Sequence, residues 1–300
     1  MKTIFLTGST GFVGTNLRLY LSNEFQFTQY VRGDLPDIKE AFVIHLAGKA
    51  HDTSNVSNAE AYYQVNTELS KKIYDAFLVS SAQVFIFLSS VKAVADEVAG
   101  TLVEEEIPNP KTHYGISKLL AEQYILSKPL PVGKRLYILR PCMIHGPGNK
   151  GNLNLLFKLV SKGLPWPLAA FNNSRSFCSI DNLCFVIKEI VEREDIPSGI
   201  YNLADDQSLS TNELIRFIAL SKSRKPRFLF LPVRLVKWIA RLGDWVHLPL
   251  NTERLHKLTE SYLVSNLKIK RAIGKPFPLS AVDGLMKTLH SFGTKQNQGI

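Results

Sequence analysis

Cysteine is scarce in this chain: three in 300 residues, Cys142, Cys178 and Cys184, with no Cys-x-x-Cys pair among them. An odd, widely spaced set builds neither a disulfide framework nor a zinc knuckle. The three read as small core residues in a reducing compartment, and no metal site is expected. Long apolar runs are lacking too. None approaches the ~20 residues that span a bilayer. The apolar start after Met1-Lys2 is interrupted from Gly8 to Gly14, too soon for a signal peptide. A cytoplasmic protein is therefore expected. Long blocks of like charge are also missing. Lys and Arg outnumber Asp and Glu by 36 to 26, a net charge of +10, but the excess is scattered. Scatter argues against nucleic acid as a partner, while phosphorylated small molecules remain among the anions a basic surface attracts. The densest group, Lys222, Arg224, Lys225 and Arg227, reads as a solvated loop before a strand.

What the chain does have is a regular alternation of short apolar bursts and helical spacings. Strands are expected at Lys2–Leu6, Phe42–Leu46, Val84–Leu88 and Leu136–Leu139. Helices are expected at Phe12–Leu21, Val65–Leu78 and Tyr114–Leu126. That order predicts an α/β fold, a Rossmann-like doubly wound parallel sheet, with a smaller C-terminal α/β substrate lobe. The pattern loosens after Gly148 into helices with short strands such as Gly199–Leu203. The expected division is a dinucleotide-binding domain over 1–148 and a mainly substrate-binding lobe over 149–300, with interleaving left open. The tail Thr294–Ile300 is polar and expected to fray.

Two motifs carry chemistry. The first is Gly8-Ser9-Thr10-Gly11-Phe12-Val13-Gly14, set between a strand and a helix. One glycine permits a sharp turn, one lets the backbone approach a pyrophosphate, and one lets helix and strand pack closely. The helix N-terminus then offers free N–H groups to the anion. The second is Tyr114-Gly-Ile-Ser-Lys118. Residues four apart share a helix face, so a phenol and an ammonium can line one cleft. A fixed cation should lower the phenol's pKa from near 10 toward that of a usable base. Alone, this spacing is common on helix surfaces; after the glycine turn it points to proton transfer coupled to hydride transfer. Ser89 and Ser90 end the strand Val84–Leu88, where ligands of open α/β sheets bind.

Taken in order, Gly8/Gly11/Gly14, His45-Leu-Ala-Gly48, Val65-Asn-Thr67, Leu88-Ser-Ser90, Tyr114/Lys118, Leu139-Arg-Pro141 and Gly146-Pro-Gly148 resemble an extended short-chain dehydrogenase/reductase of the NAD-dependent epimerase/dehydratase kind. Arg175-Ser-Phe177, Asp181-Asn182 and Gly199-Ile-Tyr-Asn202 extend the resemblance over nearly the whole chain. It implies Ser90, Tyr114 and Lys118 as catalytic residues. It implies NAD or NADP bound along Gly8, Thr10, Gly11, Phe12, Val13, Gly14, Leu46, Ala47, Gly48 and Asn66, with Tyr114 and Lys118. Arg175, and with it Asn152, would hold a nucleotide-sugar's diphosphate, beside Ser90 at the sugar. The string Gly146-Pro-Gly-Asn-Lys-Gly-Asn152 and the ending Ser89-Ser-Val-Lys92 resemble a bacterial polysaccharide-assembly subgroup that contains UDP-sugar C4 epimerases and UDP-4-keto-6-deoxyhexosamine reductases, so C4 epimerisation of a UDP-hexose or UDP-N-acetylhexosamine is the expected activity. Reduction of a 4-keto sugar, or dinucleotide sensing without catalysis, are the alternatives. A homodimer is open.

Three features depart from the pattern. An acidic residue commonly binds the ribose at the end of the second strand. Counting places Arg32 there, which suits the 2′-phosphate of NADP, while the shortened stretch Gln26–Ala41 lets Asp34 compete for the role. The substrate-binding asparagine after the Arg-Pro strand end is replaced by Met143. The Asp-Glu pair of sugar dehydratases is replaced by Val91 and Lys92, which disfavours dehydration. Finally, Leu231–Trp245 sets Arg234, Lys237 and Arg241 opposite Leu235, Val236, Trp238, Ile239 and Leu242. This helix either contacts a membrane surface or packs on its own lobe with a solvated basic face.

Overall fold

The computed structural model describes residues 2–31, 33, 36–50, 59–149, 151–246 and 251–296. The chain forms two compact units. One holds Met1–Ile144, Cys178–Ala204 and Val264–Pro278; the other holds His145–Phe177, Asp205–Leu263 and Leu279–Ile300. The pattern change read at Gly148 falls close to Ile144, where the chain first leaves the first unit. It comes back because Gly199–Leu203 completes that unit's sheet.

The sheet has six parallel strands: β1 (Lys2–Thr7), β2 (Phe25–Gln29), β3 (Phe42–His45), β4 (Val84–Leu88), β5 (Arg135–Pro141) and β6 (Gly199–Leu203). Their spatial order is β2-β1-β3-β4-β5-β6. Every residue of β4 is buried. A strand covered by helices on both sides has no polar face, so its sequence runs apolar without alternation. The connecting helices include α1 (Phe12–Leu21), α2 (Leu69–Val79) and α3 (His113–Ser127). Ile73, Tyr74 and Phe77 of α2 and Ala121 and Ile125 of α3 meet Phe5, Val43, Phe85 and Ile138 from the strands. Tyr74 sets its ring edge-on to Phe85, centroids 5.0 Å apart at 71°. Such a pair adds about 0.5–1.5 kcal/mol beyond area burial.

The compressed stretch Gln26–Ala41 resolves into a five-residue edge strand, β2, and a connection without a helix among its described residues. Arg32 and Asp34 lie outside the described residues. The helix expected over Val65–Leu78 begins as a π-helical turn, Tyr63–Glu68, that runs into α2. The chain winds outward from β1 to β2, then crosses to β3 on the other side of β1. That reversal opens a crevice beyond the carboxyl ends of β1 and β3.

The second unit carries the helices Asn152–Ser161, Thr211–Ser221, Val233–Val246, Thr252–Thr259 and Ala281–Gln296. Thr211–Ser221 starts on a reciprocal cap between Ser210 and Glu213. Phe157 and Phe292 meet edge to face at 5.3 Å. No helix among the described residues is long and apolar enough to cross a membrane.

His45, at the end of β3, is fully buried. Its Nε2 lies 2.8 Å from Ser70 Oγ, and its Nδ1 2.6 Å from Thr7 Oγ1. Ser70 donates its own proton to the Asn66 carbonyl at 2.6 Å, so it accepts from Nε2–H. Nδ1 then accepts from the Thr7 hydroxyl, whose oxygen accepts the Ala47 N–H at 3.1 Å. Burial, reinforced by the Lys118 charge, lowers the imidazole pKa from 6.5 to about 3. The unfolded chain therefore binds more protons than the folded one between those values, and stability is lost as pH falls through that window. The loss is about 1.4 kcal/mol per pH unit. Urea unfolding near pH 6.5 and about pH 5 should show the wild type losing roughly 2 kcal/mol more than a His45→Gln variant. Equal losses would mean that the imidazole is not held neutral.

Candidate active site

The turn after β1 is shaped by sterics. Gly8 has φ +71°, and a Cβ on it would sit 2.7 Å from the Ala47 nitrogen; one on Gly14 would sit 2.2 Å from the Gly8 carbonyl oxygen. Any side chain at either place would displace backbone. Gly11 differs: its added Cβ would meet only the Gly8 oxygen, at 3.2 Å, and otherwise open space. Gly11 caps α1 without a side-chain bond, and the first turn holds no acidic residue. The helix start thus leaves free N–H groups for an anion. Thr10 is exposed there, and Phe12 and Val13 are half-buried. A glycine cradle against an open helix N-terminus fits the phosphates of a dinucleotide.

Leu46, Ala47 and Gly48 follow β3 and face this turn. A Cβ on Gly48 would lie 3.0 Å from Lys118 Nζ and 3.3 Å from Asn66 Oδ1. Asn66 sits in the π-helical turn and is fully buried. Its Oδ1 accepts the Lys49 N–H at 2.8 Å, while its Nδ2 donates to the Lys49 carbonyl and to Ser117 Oγ. It thereby ties the loop after β3 to α3. π-Turns of this kind often mark functional sites.

The Tyr114–Lys118 pair stands on a fixed helix start. Thr112 Oγ1 accepts the Gly115 N–H at 3.2 Å. Asp96 in turn accepts from the Lys111 and Thr112 N–H groups and the Thr112 hydroxyl. One turn on, Lys118 is 4% exposed. Its ammonium donates to the Leu88 carbonyl at 2.8 Å and lies 4.9 Å from the Phe87 ring centroid. The two serines after β4 part company. Ser89 donates to Glu122, and Glu122 forms a buried pair with Arg140, Nη2 to Oε2 2.5 Å. Ser90 lies near enough to the Tyr114 phenol to act on its pKa, and its Oγ accepts the Lys92 N–H at 3.2 Å.

The electrostatics correct one expectation. Burial raises the Tyr114 phenol above 10.0, with Ser90 opposing it and the Tyr62 hydroxyl adding to it. The expected lowering by Lys118 is not what this arrangement gives, because the ammonium is directed at the Leu88 carbonyl and the Phe87 ring. Burial instead lowers Lys118 itself to about 8, with Glu122 resisting. Three contributors escaped the sequence reading. Tyr62 sets its ring 6.3 Å from that of Tyr114. Glu122 lies one turn beyond Lys118, a spacing that was available to find it. Gln29, at the end of β2, accepts from Ser9 Oγ at 2.7 Å and so borders the glycine turn.

Arg175 and Asn152 belong to the second unit. Arg175 is tied through its backbone to Leu209 and Tyr262. Its guanidinium pairs with Glu260 at 3.2 Å and donates to the Lys257 carbonyl at 2.8 Å. Asn152 opens the helix Asn152–Ser161.

The two kinds of glycine should separate on substitution. Gly14→Ala should lower stability by roughly 3 kcal/mol, because backbone must move. Gly11→Val should fold with near-normal stability yet bind dinucleotide at least tenfold more weakly, roughly 1.4 kcal/mol. Thermal melts and cofactor titration read the two effects. The reverse pattern would misplace the phosphate cradle.

The family model described as NAD dependent epimerase/dehydratase matches residues 33–204. Among curated relatives, UDP-glucose 4-epimerase of Vibrio cholerae is 29% identical over 328 residues, covering 99% of this chain and 97% of that one. N-acetyl-alpha-D-glucosaminyl-diphospho-ditrans,octacis-undecaprenol 4-epimerase of Escherichia coli O157:H7 is 27% identical over 290 residues, covering 89% and 84%. The crystal structure of UDP-N-acetylglucosamine 4-epimerase from Bacillus cereus shares the fold, with TM-score 0.77 at 19% identity over 97% of this chain and 99% of that one. The glycine turn precedes the matched residues and rests on its own geometry. With its six-stranded parallel sheet, its phosphate cradle and its Ser90–Tyr114–Lys118 set, the chain belongs to the NAD dependent epimerase/dehydratase family and is an NAD(P)-dependent enzyme.

Proposed function

We propose that the enzyme epimerises a UDP-hexose or UDP-N-acetylhexosamine at C4 through a transient 4-ketose. The observation that carries this reading is the joining of Ser90, Tyr114 and Lys118 at the carboxyl ends of the strands, beside the phosphate cradle. The Gly8–Gly14 turn, Leu46–Gly48 and Lys118 would hold a dinucleotide, which would supply the hydride acceptor and donor. Tyr114 Oη takes the proton of the sugar 4-hydroxyl and returns it. Ser90 Oγ, near the phenol, orients that hydroxyl. Lys118 would favour the phenolate once its ammonium turns from the Leu88 carbonyl toward Tyr114. With its pKa raised by burial, Tyr114 is a weaker acid as the phenol and a stronger base once ionised.

Two features narrow the reaction. Val91 is buried and Lys92 Nζ donates to the Asp96 carbonyl at 2.6 Å, so neither supplies the carboxylates that removal of water needs. Gln29 at the end of β2 is uncharged, and its amide suits the ribose hydroxyls of NAD.

Arg175 is the proposed diphosphate contact, a role it would fill by exchanging Glu260 for the ligand. Its removal should cost binding shared by ground and transition states, so KM should rise more than kcat falls. Arg175→Ala should lower kcat/KM about ten- to a hundredfold, and inhibition by free UDP should weaken in parallel. Unchanged UDP inhibition would remove Arg175 from the site. The reaction itself is tested on purified enzyme given UDP-glucose or UDP-N-acetylglucosamine without added reductant. Conversion to the C4 epimer supports the reading. Activity only on a 4-keto sugar, with stoichiometric loss of NAD(P)H, would make the enzyme a reductase.

A further inference from the structure

The helix Val233–Val246 divides into three sectors when its residues are set about 100° apart. Val236, Ala240 and Gly243 form the buried one. Arg234, Lys237 and Arg241 form an exposed basic one. Leu235, Trp238, Leu242 and Trp245 form the third, and they are 44%, 58%, 42% and 88% exposed. A surface helix ordinarily carries one apolar stripe, directed at its core. This helix carries two, and its own unit uses only the first. The sequence had grouped Leu235, Val236, Trp238, Ile239 and Leu242 on a single apolar face; the fold buries Val236, half-buries Ile239 and leaves the other three outside. Just before the helix, Leu229 and Phe230 are 44% and 69% exposed. From Lys222 to Arg241 the chain holds seven Lys and Arg and no Asp or Glu.

We propose that this helix docks the enzyme on an anionic lipid bilayer. Trp238 and Trp245 enter the headgroup zone, where an amphipathic indole is most at home. Leu235 and Leu242 sit between them at the acyl boundary, and Arg234, Lys237 and Arg241 meet lipid phosphates along one edge of the stripe. The attachment is peripheral and reversible. A second copy of the chain is the less suitable occupant. A two-fold contact through the same stripe would bring two basic sectors together, whereas an anionic surface complements them. The inference does not depend on which sugar the enzyme turns over.

Three tryptophans make the test direct. Trp166 is 3% exposed and already shielded from water, so a change in emission reports Trp238 and Trp245. Vesicles of mixed phosphatidylcholine and phosphatidylglycerol should shift the emission to the blue and sediment the protein, and added salt should reverse both. Vesicles of phosphatidylcholine alone should do neither. The triple variant Arg234→Gln, Lys237→Gln, Arg241→Gln should partition about a hundredfold more weakly. Trp238→Ser should bind more weakly with a smaller shift. Circular dichroism checks that each variant is folded, and turnover is not read, so a mistaken substrate leaves the outcome intact. No shift and no sedimentation with the anionic vesicles would overturn the proposal. So would equal binding to both vesicle types, or a concentration-dependent dimer that hides the tryptophans without lipid.

Discussion

The Lys118 ammonium is a positive charge placed where water barely reaches, and much of the first unit is arranged around it. The Leu88 carbonyl and the Phe87 ring face the charge directly. Glu122, one turn along α3, is the carboxylate that resists its loss of a proton. Glu122 needs a partner of its own and finds it in Arg140, with Ser89 as a further donor. Breaking a buried pair of this kind costs about 3–5 kcal/mol, because the surviving charge is left uncompensated. The same ammonium disfavours protonation of His45. Burial is the larger cause of that neutrality, and the bonds to Thr7 and Ser70 select the tautomer that links Ala47 through Thr7 to Ser70 and Asn66. Cofactor loop, π-helical turn and catalytic helix are thus joined through one charge and one neutral ring.

Much of this was legible in the residues. Spacing of three between glycines and of four between Tyr114 and Lys118 encodes local geometry directly, and β4 announces its burial by having no polar residue. Other features depend on tertiary context. β2 is a five-residue edge strand whose polar residues face out, so its apolar content is too low to stand out. The direction of the Tyr114 shift turns on where the Lys118 ammonium points, which a four-residue spacing does not specify. Gln29 becomes relevant only once β2 lies beside β1. Periodicity identified the helix Val233–Val246 as amphipathic, yet it could not say which apolar residues the core would take.

In the proposed reading, the arrangement also separates turning a sugar over from removing its water. A proton-transfer pair needs one acid–base group of adjustable pKa, with a neighbour to orient the substrate hydroxyl. Tyr114 and Ser90 are the groups proposed to meet that need. The residues after Ser90 serve instead to set the approach to α3, because Lys92 and Asp96 are bound to each other and Asp96 holds Thr112. Where a dehydratase would place carboxylates for chemistry, this chain places contacts that hold the Tyr114 helix in position.

The central claim is that C4 is oxidised and reduced again within one site while Tyr114 carries only the hydroxyl proton. Running the epimerisation in heavy water and reading the product by proton NMR tests it most directly. Retention of the original hydrogen at C4, with no deuterium incorporated there over many turnovers, is the predicted result. Deuterium at C4 would mean that the carbon is deprotonated to solvent, and it would contradict the account.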